Sequence, residues 1–290
     1  MRTSKTARSK GFTLIELLVV MGIIALLLAI LLPALSKARA NTKRVKCSTQ
    51  INMIHKGFQW SSRDDEGIFP TPGLADRLPV GGVNTPGKGA EDITQNNHAA
   101  VYALGIMRNA FPTDVLVTPA EVSTSVLVMA NYNFEAYNPL GNNDQFWDPN
   151  FQANLSNGQL SNLSYGTLQL TGGRKTKQWR DTLDSRFAVV ANRGVINGSI
   201  LPAEYNASKT LQIHGDAKAW EGNVCFNDGH VTFERSFQPD GIAQFTQGAT
   251  TIQDNIFRDD PEAATNDAFL TMCHTVTGSG TTYTFNITWD

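Results

Sequence analysis

The chain has 290 residues, of which 41% are hydrophobic and 17% are charged, so a disordered chain is excluded and a folded core is expected. Its net charge of −2 hides an uneven distribution, because residues 1–66 hold 11 of the 24 Lys and Arg but only 4 of the 26 Asp and Glu. Residues 67–290, with 13 basic and 22 acidic side chains, carry a net charge of −9. This part is therefore not expected to bind nucleic acid, which requires clustered cationic side chains.

The amino-terminal segment combines a basic leader, residues 1–11, with a long apolar run. From Leu14 to Leu35 there are 22 residues whose single charge is Glu16. As a helix this run is about 33 Å long, enough to cross a bilayer core. The leader is expected to stay in the cytoplasm and to direct the rest of the chain across the membrane. A secretory signal cleaved near Ala38–Ala40 is disfavoured, because the apolar run is too long for one.

Glu16 is the unusual residue of this span. A carboxylate within a bilayer costs roughly 2.5–3.5 kcal/mol and needs a partner, and the span contains no Lys or Arg. Cleavage between Gly11 and Phe12 would create an ammonium group on Phe12, one helical turn before Glu16. That group could pair with the carboxylate of its own chain or of a neighbouring chain. The alternative is a carboxylate that reaches water at the edge of the membrane.

The stretch Lys10–Val20, KGFTLIELLVV, resembles the class III signal of type IV pilins and type II secretion pseudopilins. The resemblance implies that a prepilin peptidase cuts after Gly11 and methylates Phe12, and that Glu16 serves subunit assembly. It also implies a helix kink at Pro33. The implied partners are the prepilin peptidase, other pilin or pseudopilin subunits in a helical homo- or hetero-polymer, and an inner-membrane assembly platform.

Residues 12–62 are predicted to form one helix, whose transmembrane half is about residues 14–35. In the second half an apolar stripe recurs at helical spacing and predicts contact with a folded core; it consists of Cys47, Ile51, Ile54 and Phe58. Residues 63–290 are expected to form an extracytoplasmic α+β head. The predicted fold class is therefore α+β, with a long hydrophobic pilin-like stem helix packed on a globular head that contains an antiparallel sheet.

The first part of the head is rich in loops to about Ala90. Within it, Gly82–Lys88 has the spacing of a phosphate-binding loop, but Gly89 stands where the metal-binding Ser or Thr belongs. A surface loop is favoured, and nucleotide binding is a remote alternative. A second, shorter helix is predicted from Glu91 to about Asn109.

The rest of the head is predicted to be antiparallel β-structure. The expected strands are Val126–Met129, Phe187–Val190, a hairpin of Asn223–Phe226 with His230–Glu234, and a final strand Thr282–Trp289 with one buried face. The three cysteines Cys47, Cys225 and Cys273 are too few for a disulfide framework or a zinc site. They leave open either one Cys225–Cys273 bridge or three buried free thiols.

Residues 209–237 resemble a carboxy-terminal motif of many bacterial pseudopilin-like proteins, in which a histidine is followed after nine residues by Asp-Gly and a strand. Here thirteen residues separate His214 from Asp228. Asp228-Gly229 predicts a tight turn, because the carboxylate caps backbone N–H groups and glycine tolerates positive φ. We expect His214 to hydrogen-bond this turn and tie two strands together. A metal site is the alternative.

An acidic stretch offers a second candidate site for a metal, and its members are Asp259, Asp260, Glu262 and Asp267. Major pseudopilins carry a calcium loop near their carboxy end, so the resemblance implies calcium as a possible ligand. The spacing matches no EF-hand, and a solvated acidic loop is the alternative. No other cofactor is expected.

No catalytic signature is present in the sequence, so the protein is not expected to be an enzyme. The expected function is that of a structural subunit, a pseudopilin, of a type II secretion-like or type IV pilus-like fibre. The alternative is a membrane-anchored extracytoplasmic binding protein that is processed but does not polymerise. Either would cross the bacterial inner membrane once, with its head in the periplasm or in an extracellular fibre.

Overall fold

The computed structural model describes residues 12–140, 144–156, 158–215, 219–247, 249–260 and 266–290. The chain forms two compact units, Met1–Thr42 and Lys43–Asp290. Helix α1, Leu14–Ser62, contributes residues to both. Four shorter α-helices lie among the described residues, namely α2 (Pro72–Ala75), α3 (His98–Met107), α4 (Pro202–Ala207) and α5 (Leu211–His214).

Nine strands are present in the described part of the second unit. They are β1 (Tyr165–Leu168), β2 (Ala188–Asn192), β3 (Gly222–Phe226), β4 (Val231–Glu234), β5 (Gln244–Gln247), β6 (Thr250–Gln253), β7 (Leu270–Thr271), β8 (Cys273–Ser279) and β9 (Thr282–Ile287). An antiparallel five-stranded sheet has the order β4-β3-β2-β1-β7. Strands β5–β6 and β8–β9 form two separate hairpins. The fold class is α+β, as predicted.

The two parts of α1 differ completely in exposure. Every residue from Leu14 to Leu35 is exposed. By length and composition, α1 is the one helix among the described residues that could cross a membrane. In the second unit, the predicted apolar stripe is fully buried, and it consists of Cys47, Ile51, Ile54 and Phe58. The stripe is therefore part of the core.

Phe58 lies at the centre of an aromatic cluster in the second unit. Four rings have their centroids 5.2–6.0 Å from that of Phe58, namely those of Phe69, Tyr102, Phe111 and Trp179. Aromatic pairs at these separations add to the free energy gained by burying their area. Helix α1 is thus held to α3 and to the segment before β2 by direct ring contacts.

Several predicted elements differ from the structure. Val126–Met129 is not a strand, because only Val126 pairs, in an isolated bridge with Ser161, and the next two residues are exposed. The second helix begins later than predicted, at His98, because the Asn97 side chain caps it by accepting a hydrogen bond from Ala100 N at 2.9 Å. By contrast, the region of Gly82–Lys88 is an exposed loop, as the favoured prediction had it.

The structure also differs in detail from the predicted carboxy-terminal strand and decides between the two alternatives for the cysteines. Strand β9 ends at Ile287. The face of β9 that was expected to be buried is only half-buried, because among the described strands β9 pairs with the hairpin strand β8 alone. Cys225 and Cys273 are both buried and do not form a disulfide bond. All three thiols are free, which was one of the two alternatives.

His98 connects two parts of the β-structure through its ring. Its Nδ1 accepts a hydrogen bond from Cys273 N at 2.7 Å, so Nε2 carries the proton and donates to Leu168 O at 3.3 Å. Burial lowers the pKa of His98 from 6.5 to about 4, since a charged ring would be desolvated and could not accept the Cys273 hydrogen bond.

We expect stability to fall as the pH is lowered from 6.5 towards 4, because the unfolded chain then binds a proton that His98 in the folded chain does not. Between pH 7 and pH 5 the contribution of His98 is about 2 kcal/mol. A His98→Gln variant should lose less stability than the wild type over this interval, even if it is less stable at pH 7. Urea unfolding of the full chain in detergent at both pH values measures this difference. An unchanged pH dependence in the variant would contradict this role of His98.

Candidate processing and assembly site

The amino-terminal end of α1 has a well-defined cap formed by Thr13 and Glu16. Thr13 N and Thr13 Oγ1 donate to Glu16 Oε2 at 2.9 and 2.8 Å, and Glu16 N donates to Thr13 Oγ1 at 3.3 Å. This reciprocal arrangement is a capping box, in which two side chains satisfy the free N–H groups of the first helical turn. The Thr-x-x-Glu spacing could have revealed it in the sequence.

The capping box gives the Glu16 carboxylate hydrogen bonds but no positive charge. Glu16 accepts hydrogen bonds from Thr13, but Thr13 is neutral and leaves the negative charge unpaired. Phe12 precedes the cap and is 76% exposed. Both hydrogen-bonding groups of Thr13 lie after the Gly11–Phe12 junction, so cleavage there would leave the box intact. Gly11 and the leader 1–11 lie outside the described residues, and Pro33 lies inside α1.

The predicted tight turn at Asp228-Gly229 connects β3 to β4. Gly229 has φ +86°, a conformation that glycine adopts without strain. Asp228 Oδ1 accepts hydrogen bonds from the backbone N–H of His230 at 3.1 Å and from its ring. Burial opposes ionisation of Asp228, but these hydrogen bonds outweigh it and lower its pKa. The ring of His230 stacks on Phe226 with centroids 4.5 Å apart.

The turn is held against the second half of α1. Asn52 Nδ2 donates to Gly229 O at 2.7 Å. A Cβ atom added at Gly229 would lie 3.5 Å from His55 Nδ1, so the turn backbone passes close over this buried ring. Asn52 and His55 were not identified from the sequence, because no local pattern shows that the turn would reach the helix.

His214 lies at the opposite end of the β3–β4 hairpin from the turn. It ends α5, and its ring contacts Phe233 edge-on with centroids 6.0 Å apart. Phe233 pairs with Asn223 near the open end of the hairpin, so His214 does not make the predicted hydrogen bond to the turn. Burial, with the nearby charges of Arg44 and Lys43, lowers the pKa of His214 to about 4. The neutral ring therefore packs against β4, and Asn52 provides the contact that was expected from His214.

Of the acidic candidates, Asp259 and Asp267 lie around Arg174, and Asp260 N donates to Asp267 Oδ2 at 3.3 Å. Glu262 lies outside the described residues. Arg174 binds the carboxylates of both Asp259 and Asp267. Asp254, which no sequence pattern identified, is fully buried and belongs to the same cluster. One potential ligand atom from each of Asp254, Asp260 and Asp267 lies within 4.8 Å of the others.

The amino-terminal segment of the chain is similar to those of known proteins. Residues 6–32 match the family described as the prokaryotic N-terminal methylation motif. The chain is 39% identical over 61 residues to the ComG operon protein 3 homolog of Bacillus licheniformis, covering 21% of this chain and 63% of that protein. It is 39% identical over 67 residues to the competence protein ComGC of Bacillus subtilis, covering 23% of this chain and 66% of that protein.

These matches cover somewhat less than two thirds of the length of either relative and about a fifth of this chain. No solved structure matches the chain. The chain carries a prokaryotic N-terminal methylation motif, and its amino-terminal segment is similar to those of the two Bacillus proteins, in line with the resemblance to type IV pilins. One long apolar helix that begins within this motif fits a protein anchored in the membrane by a single span.

The contact between the turn and α1 is tested by Asn52→Ala, which removes the hydrogen bond to Gly229 O and leaves that carbonyl without its donor. We expect a loss of about 1 kcal/mol, seen as a Tm lower by about 2–4 °C. Met53→Ala, at the exposed neighbouring position, is the matched control and should stay within about 0.5 kcal/mol of the wild type. Equal Tm values for the two variants would show that the hydrogen bond does not hold the turn.

Proposed function

We propose that the protein is a structural subunit of a type II secretion-like or type IV pilus-like fibre, processed by a prepilin peptidase and assembled through α1. The observation that carries the proposal is the uninterrupted exposure of the apolar side chains from Leu14 to Leu35, most of which lie within the methylation motif at residues 6–32. Such a surface is stable in a bilayer or in a bundle of similar helices. The proposed role involves no catalysis by the chain itself.

The proposed pathway has two stages. Before processing, the chain spans the inner membrane once, with Lys43–Asp290 outside the cytoplasm, because the basic leader stays inside. After cleavage at Gly11–Phe12, an assembly platform transfers the subunit into a fibre of like or related subunits. The new ammonium group of Phe12 pairs with Glu16 of a neighbouring subunit, which neutralises both charges within the apolar bundle.

The capping box refines how Glu16 serves assembly. A carboxylate has several lone pairs, so Glu16 can accept the hydrogen bonds of Thr13 and still bind an ammonium group. Because the cap fixes the position of the carboxylate at the helix end, the subunit arrives with this charge already oriented.

Between the two types of fibre, the likeness of residues 209–237 to the pseudopilin motif favours the type II secretion-like one. The name of one relative, the competence protein ComGC of Bacillus subtilis, connects that protein with competence.

The proposal predicts that charge, and not the cap, is needed for assembly. Glu16→Gln removes the charge while keeping a side chain that can complete a capping box. It should leave membrane insertion and cleavage unchanged but reduce incorporation into fibres at least tenfold, as measured by quantitative immunoblotting of sheared fibres. Thr13→Val removes the hydroxyl of the cap but keeps the charge, and is expected to retain most of the incorporation.

Normal incorporation of Glu16→Gln would refute the charge-pairing mechanism. A loss with Thr13→Val equal to that with Glu16→Gln would mean that Glu16 acts as a helix cap. Immunoblotting of membrane fractions for the processed and unprocessed chain verifies that each variant reaches the membrane and is cut.

A membrane-anchored binding protein that is processed without polymerising is the second candidate. It is favoured by a cleft of about 560 Å³ in the second unit, whose apolar lining residues include Leu104, Phe134, Tyr137 and Phe146. Phe134 and Tyr137 are half-exposed there. Cysteine crosslinking at positions adjacent to Phe12 separates the two functions, because chain-to-chain crosslinks are expected for a fibre subunit and not for an isolated anchor.

A further inference from the structure

Two clefts of the second unit, of about 560 and 600 Å³, adjoin at Phe134, which lines both of them. The smaller cleft lies between α2, α3 and the short 3₁₀ turn Phe134–Ala136, and the larger one lies beside the carboxy-terminal end of α3. We call the two together the α3 groove. Clefts of about 300–1,000 Å³ commonly bind small ligands, so each half of the α3 groove has a suitable size and the whole suits a longer ligand.

Two half-exposed aromatic rings, those of Phe134 and Tyr137, line the smaller cleft. Residues three apart in a 3₁₀ turn lie on the same face, which is why both rings reach the same cleft. Each of them contacts an inner ring, Phe134 that of Tyr132 at 5.0 Å and Tyr137 that of Phe146 at 6.4 Å between centroids. Tyr132 is fixed in turn, because its hydroxyl donates to Ala103 O at 2.7 Å. The groove therefore presents two apolar ring surfaces that are in position before a ligand binds.

The charged groups that line the smaller cleft cancel each other. Arg108 Nη1 donates to Asp65 Oδ2 at 2.6 Å and to Ser61 Oγ at 3.1 Å, and the side chains of Arg108 and Asp65 are 32% and 41% exposed. Among the described residues, Arg108 Nη2, Asp65 Oδ1 and the hydroxyl of Tyr137 have no hydrogen-bond partner. These atoms offer a ligand both donors and acceptors without a net charge.

The larger cleft has an uncharged lining with three polar side chains, those of Asn109, Thr113 and Asn131. Asn109 lies just after α3 with φ +55°, and Asn131 precedes the 3₁₀ turn. Within the part of the chain that the structure describes, none of these three side chains has a hydrogen-bond partner. Amide and hydroxyl groups both donate and accept, so this half of the groove also offers neutral hydrogen-bonding groups beside an aromatic ring.

We propose that the α3 groove binds a neutral polysaccharide. The C–H face of a sugar ring is apolar and packs on an aromatic ring, while each hydroxyl group both donates and accepts hydrogen bonds. Two adjacent hydroxyls can bind the ion pair together, one donating to the carboxylate of Asp65 and the other accepting from the guanidinium of Arg108. Two adjoining clefts suit several linked rings of one chain. The inference concerns the second unit alone and does not rest on assembly into a fibre.

Other classes of ligand fit the α3 groove less well. A purely apolar ligand would remove Arg108 and Asp65 from water without giving them new partners. A polyanion requires an excess of cations, and the charged residues that line the groove are one Arg and one Asp. An extended peptide offers single N–H and C=O groups along its backbone and no adjacent hydroxyls. A proline-rich peptide, which packs on aromatic rings, is the nearest rival and is included in the test.

The test uses the full chain in a zwitterionic detergent, because detergents with sugar headgroups would compete for the groove. Calorimetry measures the binding of soluble probes, namely cellohexaose, chitohexaose, maltohexaose and mannohexaose, and of a decaproline peptide. At least one hexasaccharide should bind one to one with a Kd of about 1 mM or lower, and decaproline should not bind.

Phe134→Ala removes the ring that both clefts share and should weaken binding of that hexasaccharide at least tenfold. Tyr137→Ala should have the same effect and serves as the second variant if Phe134→Ala does not fold. Leu160→Ala truncates an exposed apolar side chain outside the groove, so it is the matched control and should bind as the wild type does. Thermal unfolding of each variant without ligand verifies that it is folded.

The inference is overturned if none of the hexasaccharides binds, or if decaproline alone binds. It is equally overturned if the folded Phe134→Ala and Tyr137→Ala variants bind the hexasaccharide with the affinity of the wild type, because the site would then lie elsewhere.

Discussion

The two halves of the single helix α1 require different environments. From Leu14 to Leu35 it exposes apolar side chains on all faces, while Cys47, Ile51 and Phe58 further along are fully buried in the second unit. Leaving one large aliphatic side chain in water costs about 1.5–3 kcal/mol, so the exposed half as a whole would cost tens of kcal/mol. This half therefore requires an apolar environment, and a helix is suited to it because its backbone hydrogen bonds are internal.

The charge of Glu16 limits which apolar environment is suitable. The capping box with Thr13 satisfies the N–H groups at the start of the helix and gives the carboxylate local hydrogen bonds. It does not neutralise the negative charge. In a bilayer this carboxylate can remain near the polar headgroups, but in a bundle of subunits it must meet a cation. The amino group that the proposed cleavage would create on Phe12 is such a cation and would lie within one helical turn.

Much of the architecture could be predicted from the sequence, because the relevant signals are local. The apolar run, its buried stripe, strand β2 and the β3–β4 hairpin each have a periodicity or a turn that a short segment contains. Val126–Met129 has the composition of a strand, but a strand needs partners along its length, and only Val126 has one. Strands β1 and β7 were missed because Tyr165–Leu168 contains a glycine and Leu270–Thr271 has only two residues.

The candidate sites were less predictable than the fold. His214 and Asp228 belong to one sequence motif, yet they lie at opposite ends of the β3–β4 hairpin. The turn is held instead by Asn52 of α1, which is 177 residues from Gly229 in the sequence. The acidic cluster was only partly identified, because Asp254 enters it through the path of the chain after β6 and not through spacing. Such associations depend on tertiary contacts, which a local pattern does not contain.

In the proposed mechanism, processing supplies the positive charge that Glu16 needs. The most direct test is mass spectrometry of the amino terminus of the mature protein, purified from the membranes or fibres of its host. A mature chain that begins with N-methylated Phe12 is expected. A mature chain that still begins at Met1, or that begins at Asn41 after removal of the whole apolar segment, would contradict it.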